Sequence, residues 1–508
     1  MLPHFWRTYL NNGWLLTALL ISLLVSAPML YIIAQLFTPS SENWEHLAET
    51  LLLDYLLSTL RLCLGVGVVS LLLGLPAAWL VSTCSFPLSR SLSWALVLPL
   101  AIPTYINAAV YKAMVGSQIM NMYGAILVIS SVLYPYIYLI ARNIFEKQSQ
   151  SLLEVAEMLG KNRWQTFFGL ALPLARPAVV GGLFLVLMEV LNEYGAVKYY
   201  NINTLSKGIF RAWFSLGDLG AAVRLSAFLM LFVFIFVGIE FWQRKEKRFH
   251  DAAFAPKPVR KTALRGAKAY LALLVCLLPF LLGFALPMSQ LLLWTSKAYQ
   301  ETNLPNVWEW VANSTLVASL SAVVVCFFAL LLYYAVRIGN ETSSHFFSQI
   351  ANLGYAIPGT VIAIGTLTTL LSLGNLLNAT LFGLIYAYLV RFLAVGSNPI
   401  ETGWQKISRN IDYAAQLSGK RRLASLVGLH IPMLKNSILA CLLLVFVDTM
   451  KELPLTLILR PFNFDTLATK SFEFADDERF ASAAIISLII IATSLIPTFL
   501  LDRLGKKN

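Results

Sequence analysis

Glu154-Val155-Ala156-Glu157-Met158-Leu159-Gly160, then nine residues, then Leu170-Ala171-Leu172-Pro173: this pattern returns 259 positions later as Tyr413-Ala414-Ala415-Gln416-Leu417-Ser418-Gly419, nine residues, and Leu429-His430-Ile431-Pro432. Each copy reads as a short amphipathic helix closed by a glycine, the residue that tolerates a left-handed turn at a helix end. A second short helix follows, and Pro173 and Pro432 then favour a break before the next apolar run. Such a helix–Gly–helix hairpin, standing between long apolar runs, suits docking of a soluble partner.

Outward from these loops the chain is nearly free of charge. Of its 508 residues 58% are hydrophobic and 13% charged, against about 25% charged in a soluble domain, which excludes a water-soluble globular enzyme. Trp14–Phe37, Leu62–Ser89, Ala113–Ala141, Ala269–Ser296 and Trp310–Val336 each lack Asp, Glu, Lys and Arg. Each reaches the roughly 20 apolar residues that span a bilayer as a helix. The first run is too long for the core of a cleaved signal peptide and reads as a retained span. Twelve spans are predicted, near 14–37, 56–82, 92–114, 122–141, 174–197, 221–241, 270–293, 313–336, 348–371, 377–396, 436–459 and 480–501.

Charge sets the expected sidedness. The net charge of +12 reflects loop placement rather than nucleic acid, for which no role is expected. With both termini inside, loops 142–176 and 397–435 carry an excess of Lys and Arg, as cytoplasmic loops do. Arg391 is counted with the second of these. The opposite side holds acids: Glu42, Glu45 and Glu49, then Asp465, Glu473, Asp476, Asp477 and Glu478.

The stretch 243–268 holds nine Lys and Arg against Glu246 and Asp251, and reads as a basic cytoplasmic linker. A duplication is legible across it. Ser58-Thr59-Leu60 returns as Ser314-Thr315-Leu316, and Ala101-Ile102-Pro103 as Ala356-Ile357-Pro358. The chain therefore reads as an all-α polytopic membrane protein of about twelve transmembrane helices in two parallel six-helix repeats. Residues 1–242 form one half and 269–508 the other, with a pathway between them.

Charges inside spans are costly and mark function. Glu189 and Glu193 stand four apart in span five, and Asp448 and Glu452 match them 259 residues later in span eleven. Spacing of i, i+4 puts each pair on one helix face, so the four acids could line a path for a hard cation. Alternatively they bond helix ends, or pair with Lys198 and Lys451. Arg61 and Arg224 read as snorkelling or paired cations. Tyr134, Tyr136, Tyr138, Tyr386 and Tyr388 read as packing or interfacial anchors, or as polar tips on the path. Five cysteines without paired short spacing indicate neither disulfides nor zinc. The five histidines are scattered, and no metal site or nucleophile–base set is expected. No phosphate loop of the form Gly-x4-Gly-Lys-[Ser/Thr] occurs, so ATP hydrolysis would belong to a partner.

The two loops resemble the EAA signature of binding-protein-dependent ABC transporter permeases, with Tyr413 in place of the usual Glu and Val155 in place of Ala. The resemblance implies a type I ABC importer permease fold. It implies a coupling role for Glu154, Ala156, Gly160 and Pro173, and for Ala414, Ala415, Gly419 and Pro432, against two copies of an ABC ATPase subunit. Within that family, two halves fused in one chain resemble the ferric iron permeases and, less closely, the thiamine permeases. The segments carrying this are Lys451–Pro461, Phe464–Thr469, Glu193–Val197, Ile209–Phe214 and Gly217-Asp218.

The resemblance implies a multi-pass protein of the bacterial inner membrane, with a periplasmic substrate-binding protein outside. This chain would itself be no enzyme and hold no cofactor, ATP and magnesium residing on the partner ATPase. The mechanism implied is alternating access: ATP closes the ATPase dimer, the coupling helices move, and the halves rock apart outside. Competing readings are an ABC permease for thiamine, an organic phosphonate or another small solute. From another class comes a twelve-span secondary transporter, which needs neither hairpin.

Overall fold

The computed structural model describes residues 13–147, 158–245, 261–298, 306–339, 341–374, 379–419 and 421–505. The main helices of the N-terminal half are α1 (Gly13–Gln35), α2 (Leu52–Thr83), α3 (Ser89–Ala101), α4 (Thr104–Ile119), α5 (Met122–Lys147), α6 (Phe167–Asn192) and α7 (Leu219–Lys245). The C-terminal half continues with α8 (Ala267–Ser296), α9 (Val307–Ile338), α10 (Ser343–Ala356), α11 (Gly359–Ser372) and α12 (Leu381–Gln405). It ends with α13 (Asn410–Leu417), α14 (Arg422–Met433), α15 (Lys435–Lys451), α16 (Leu467–Asp476) and α17 (Phe480–Gly505).

Among the described residues eight helices are long and apolar enough to cross a membrane, and three bent pairs raise the number to eleven; Phe480–Leu495 of α17 is a shorter apolar helix. Large apolar side chains such as Leu20, Leu53, Leu72, Leu293 and Phe327 stay exposed on the outer surface. In water such a surface would drive association; against lipid it costs nothing, and the helices satisfy their own backbone groups.

Two expected spans are not straight. Span 92–114 is the pair α3–α4, bent by 92°, and span 348–371 is α10–α11, bent by 111°. The cause is the repeated Ala-Ile-Pro. Proline disfavours helical backbone in the residue before it, and Ile102 (φ −95°, ψ 116°) and Ile357 (φ −88°, ψ 129°) are both extended.

The break expected before span five is absent. Helix α6 begins with a π-helical turn at Phe167–Ala171 and continues through Pro173 without a bend. The corresponding π-turn, Leu426–His430, instead leads to a 78° bend between α14 and α15.

The halves exchange their first spans. Helix α1 packs mainly on α9, α10 and α11, while α8 packs on α2–α5 as well as on α17 of its own half. Ser22 Oγ donates to the Phe347 carbonyl at 2.8 Å, and Tyr386 Oη to that of Leu24 at 2.7 Å. In return Tyr111 Oη donates to the Leu282 carbonyl at 2.8 Å. Beside that contact the backbones approach so closely that a Cβ at Gly283 would strike the Ser131 carbonyl oxygen.

The described end of the basic stretch is anchored as well. Thr262–Ala263 pairs in parallel with Cys84–Ser85, and Lys261 Nζ donates to the Val81 carbonyl at 2.8 Å. None of the five cysteines forms a disulfide, and all five are buried.

Candidate functional site

The four carboxylates are placed by two matching helix ends. Helix α6 stops at Asn192, Glu193 is extended (φ −70°, ψ 120°), and the short helix Gly195–Tyr199 follows. Helix α15 stops at Lys451, Glu452 takes φ −70° and ψ 119°, and Pro454–Leu459 follows. Glu193 and Glu452 therefore lie just beyond the helices that carry Glu189 and Asp448, which corrects the expectation that each pair shares one helix face.

Each displaced carboxylate caps the short helix after it. Glu193 Oε1 accepts from the Ala196 N–H at 2.8 Å, and Glu452 Oε1 from the Leu455 N–H at 3.3 Å. A carboxylate at a helix N-terminus satisfies free donors and meets the positive end of the dipole. Glu193 Oε2 also accepts from Thr104 Oγ1, at the start of α4.

These ends meet across the halves around one cavity of about 120 Å³, which Glu189, Glu193, Asp448 and Glu452 all line together with Arg391 and Lys451. The Asn192 side chain accepts from the Gly359 N–H, first residue of α11, at 2.7 Å, and Lys451 Nζ donates to the Leu100 carbonyl at 3.3 Å. Each half thus holds the other's bent pair. A side chain at Gly359 has no room: its Cβ would lie 2.6 Å from Glu452 Oε1 and 3.1 Å from Asn192 Oδ1.

Arg391 is the residue that sequence reasoning misplaced. It is not a loop cation but lies inside α12, 4% exposed. Its Nε stands 3.3 Å from Glu452 Oε2, and Nη1 donates to the Ile357 carbonyl at 3.1 Å. The signal was its position within the apolar run of span ten, where a charge needs a partner.

Four carboxylates against Arg391 and Lys451 leave a formal excess of two negative charges on the cavity wall. Among the described residues no three His, Cys, Asp or Glu converge as metal ligands.

The other singled-out side chains are mostly structural. Lys198 pairs with Asp476 at 2.8 Å rather than with the cavity acids. Arg224 donates to the Thr38 carbonyl at 2.7 Å, and Arg61 is exposed on α2. Of the five tyrosines singled out in the sequence Tyr136 lines the cavity, where Tyr105, Tyr194 and Tyr355 join it; Tyr134 and Tyr138 are buried elsewhere, and Tyr388 Oη lies 2.5 Å from Thr456 Oγ1. Beyond the cavity, on the side of the acidic loops, opens a second space of about 730 Å³ edged by Lys198, Arg211, Arg460 and Asp476. Tyr194 lines both spaces and stacks on Phe210, ring centroids 3.5 Å apart.

The described part of the first hairpin packs beside the described linker end, Phe167, Leu172 and Leu264 sharing one apolar cluster. Glu154 and Ala156 fall outside the described residues. Gly160 (φ +70°) and Gly419 (φ +73°) both take the left-handed turn, with open space around them. Met158 and Leu417, 259 residues apart, are 87% and 90% exposed. Ala414, Pro173 and Pro432 are exposed too, and Ala415 is buried under α13.

Residues 67–248 match the family model described as binding-protein-dependent transport system inner membrane component. Over 99% of both chains, the sequence is 26% identical to an Fe(3+)-transport system permease protein of Haemophilus influenzae. A sulfate transport system permease protein of Escherichia coli is 30% identical over 35% of this chain and 68% of its own length. A molybdate/tungstate transport system permease protein of Thermococcus kodakarensis is 26% identical over 33% and 71%.

Proposed function

This chain belongs to the binding-protein-dependent transport system inner membrane components, and from that premise we propose that it is the permease through which a periplasmic binding protein delivers ferric ion. It is a multi-pass inner membrane subunit, and the energy comes from ATP hydrolysed on a separate ATPase, two copies of which seat on the two hairpins. Both termini then lie in the cytoplasm. Residues 1–242 and 269–508 act as the two moving halves, joined by the linker 243–268.

The observation that carries ferric ion is the relative that runs the full length of both chains, two halves in one polypeptide. The sulfate and molybdate/tungstate relatives match about a third of this chain. The cavity supports the same choice. Arg391 and Lys451 could attract an oxyanion, but four carboxylates outnumber them, and like charges in a poorly hydrated space repel strongly.

The coupling reading rests on the hairpins. Met158 and Leu417 are apolar, matched by the 259-residue repeat and almost fully exposed, at the end where no lipid should cover them. Apolar side chains at such a surface mark a protein partner. The permease is then a bistable element whose inward and outward states are biased by nucleotide on one side and loaded binding protein on the other.

The test is reconstitution in proteoliposomes with ATPase and binding protein. Ferric ion is expected to accumulate only when ATP and binding protein are both present. Accumulation driven by a proton gradient alone would make the chain a secondary transporter. Stimulation of ATP hydrolysis by sulfate, thiamine or a phosphonate, and not by ferric ion, would reassign the cargo.

A further inference from the structure

Helix α13, the second hairpin's first helix, packs Ile411 against the apolar core and is also fastened to it by an ion pair. Asp412 sits in its first turn. Arg337, at the end of α9, donates from Nε to Asp412 Oδ2 at 2.7 Å and forms an ion pair with the same oxygen through Nη2. The remaining Arg337 donors are spent on the strand of chain entering α13: Nη1 reaches the Trp404 carbonyl, and Nη2 those of Ile407 and Ser408, all at 3.1 Å.

On the other side, His430 Nε2 lies 2.8 Å from Asp412 Oδ1, off the hydrogen-bonding line. His430 is 1% exposed and packed between Trp404 and Tyr334, ring centroids 5.0 and 5.7 Å away. Arg337 covers the Trp404 ring at 4.9 Å. Asp412 thus stands where three elements meet: α13, the end of α9, to which it is ion-paired, and the π-turn Leu426–His430, against which it lies; Tyr334 Oη of α9 also donates to the Arg422 carbonyl at the start of α14, at 2.6 Å. That turn runs through α14 and the 78° bend into α15, whose far end carries Asp448 and Glu452 to the cavity.

In the sequence of the first half the matching positions carry no such set: the duplication puts Val81 opposite Arg337, Leu153 opposite Asp412 and Ala171 opposite His430. The stems differ as well, since α6 is continuous where α14 and α15 are bent.

We propose that Asp412 is a positioning residue that clasps the second coupling helix to α9 and to the π-turn, so that the ATPase stroke reaches the cavity chiefly through the C-terminal half. The proposal rests on the hairpins being the ATPase contacts. Charge-assisted bonds shielded from water are the strong ones, and a rigid clasp transmits a displacement that a sliding apolar contact dissipates. The two hairpins then serve different ends, the second driving and the first following.

The experiment uses the full permease with its ATPase and binding protein in proteoliposomes, recording iron accumulated and ATP hydrolysed in the same sample. Asp412→Asn is expected to lower iron accumulated per ATP by about tenfold, while hydrolysis stimulated by loaded binding protein stays within about twofold. Asp412→Glu, which keeps the charge that pairs with Arg337, is expected to recover at least half of the ratio. The proposal is overturned if the ratio is unchanged in Asp412→Asn. It is equally overturned if accumulation and hydrolysis fall in proportion, for then Asp412 only keeps the protein folded or docked. Failure of the unaltered permease to stimulate the ATPase at all strikes the coupling reading instead, which separates the two ideas.

Discussion

Arg391 keeps a full charge among apolar helices because Glu452 stands 3.3 Å away and the Ile357 carbonyl takes a second donor. Removing one partner of such a pair leaves an uncompensated buried charge, at a cost of about 3–5 kcal/mol, whereas removing both can be nearly neutral. Arg391→Leu is therefore expected to destabilise the permease by about that amount in a detergent unfolding titration. Adding Glu452→Gln should recover most of the loss. Equal losses in the single and the double variant would mean that the two charges are not coupled. At this scale the acids were legible as charges inside apolar runs, and Arg391 should have been, since it lies within span ten. The crowding at Gly359 was not, because it depends on Asn192 and Glu452 arriving from distant parts of the chain.

Among elements, the bent pairs illustrate what a motif can and cannot tell. Pro28, Pro76 and Pro135 lie inside helices that continue through them, while Pro103 and Pro358 mark sharp bends. All five are prolines in apolar runs. What separates them is where the freed backbone groups find partners, and the Asn192 side chain bonding the Gly359 N–H is a tertiary partner. Helix α16, on the acidic side, is held differently, by Arg460 and Lys470 on Glu473 at 2.7 and 2.8 Å.

Burial pushes the Glu473 carboxyl up, but the bonds and charges of Lys470 and Arg460 outweigh it and hold the group below its ordinary value. A depressed folded value contributes stability that is present above the unfolded glutamate value of about 4.3 and is lost as pH falls through the folded one. The network is partly exposed, so the effect is expected within about 1 kcal/mol. The protection of the Leu467–Asp476 amides against hydrogen exchange, relative to the intrinsic rate at each pH, should fall on acidification below about pH 4, and Glu473→Gln should flatten that dependence. An unaltered profile in the variant would remove Glu473 from the account.

For the whole molecule, the exchange of first spans binds the halves more tightly than a linker could. Helix α1 buries its inner face against α9–α11, and α8 packs against α2–α5 as well as α17, so the core of each half is completed in part by the other. Residues 1–242 and 269–508 expressed as two chains are expected to co-purify when made together and to aggregate or be degraded when made alone. A monodisperse, folded half recovered on its own would contradict this. The exchange also bears on the stroke: when the cavity opens, each half carries along a helix whose chain belongs to the other.

Local patterning determined that this chain crosses a membrane repeatedly, that its halves repeat, and where its hairpins and acids lie, because apolar run length, proline and glycine placement and charge are read over a few turns of helix. The number of straight spans, the exchange of α1 and α8, the pairing of Arg391 and the clasp at Asp412 were decided only in three dimensions. In a bilayer almost every face of these helices is apolar, so periodicity no longer says which face meets protein. That choice falls to close backbone approaches and to a few buried polar partners that lie hundreds of residues apart.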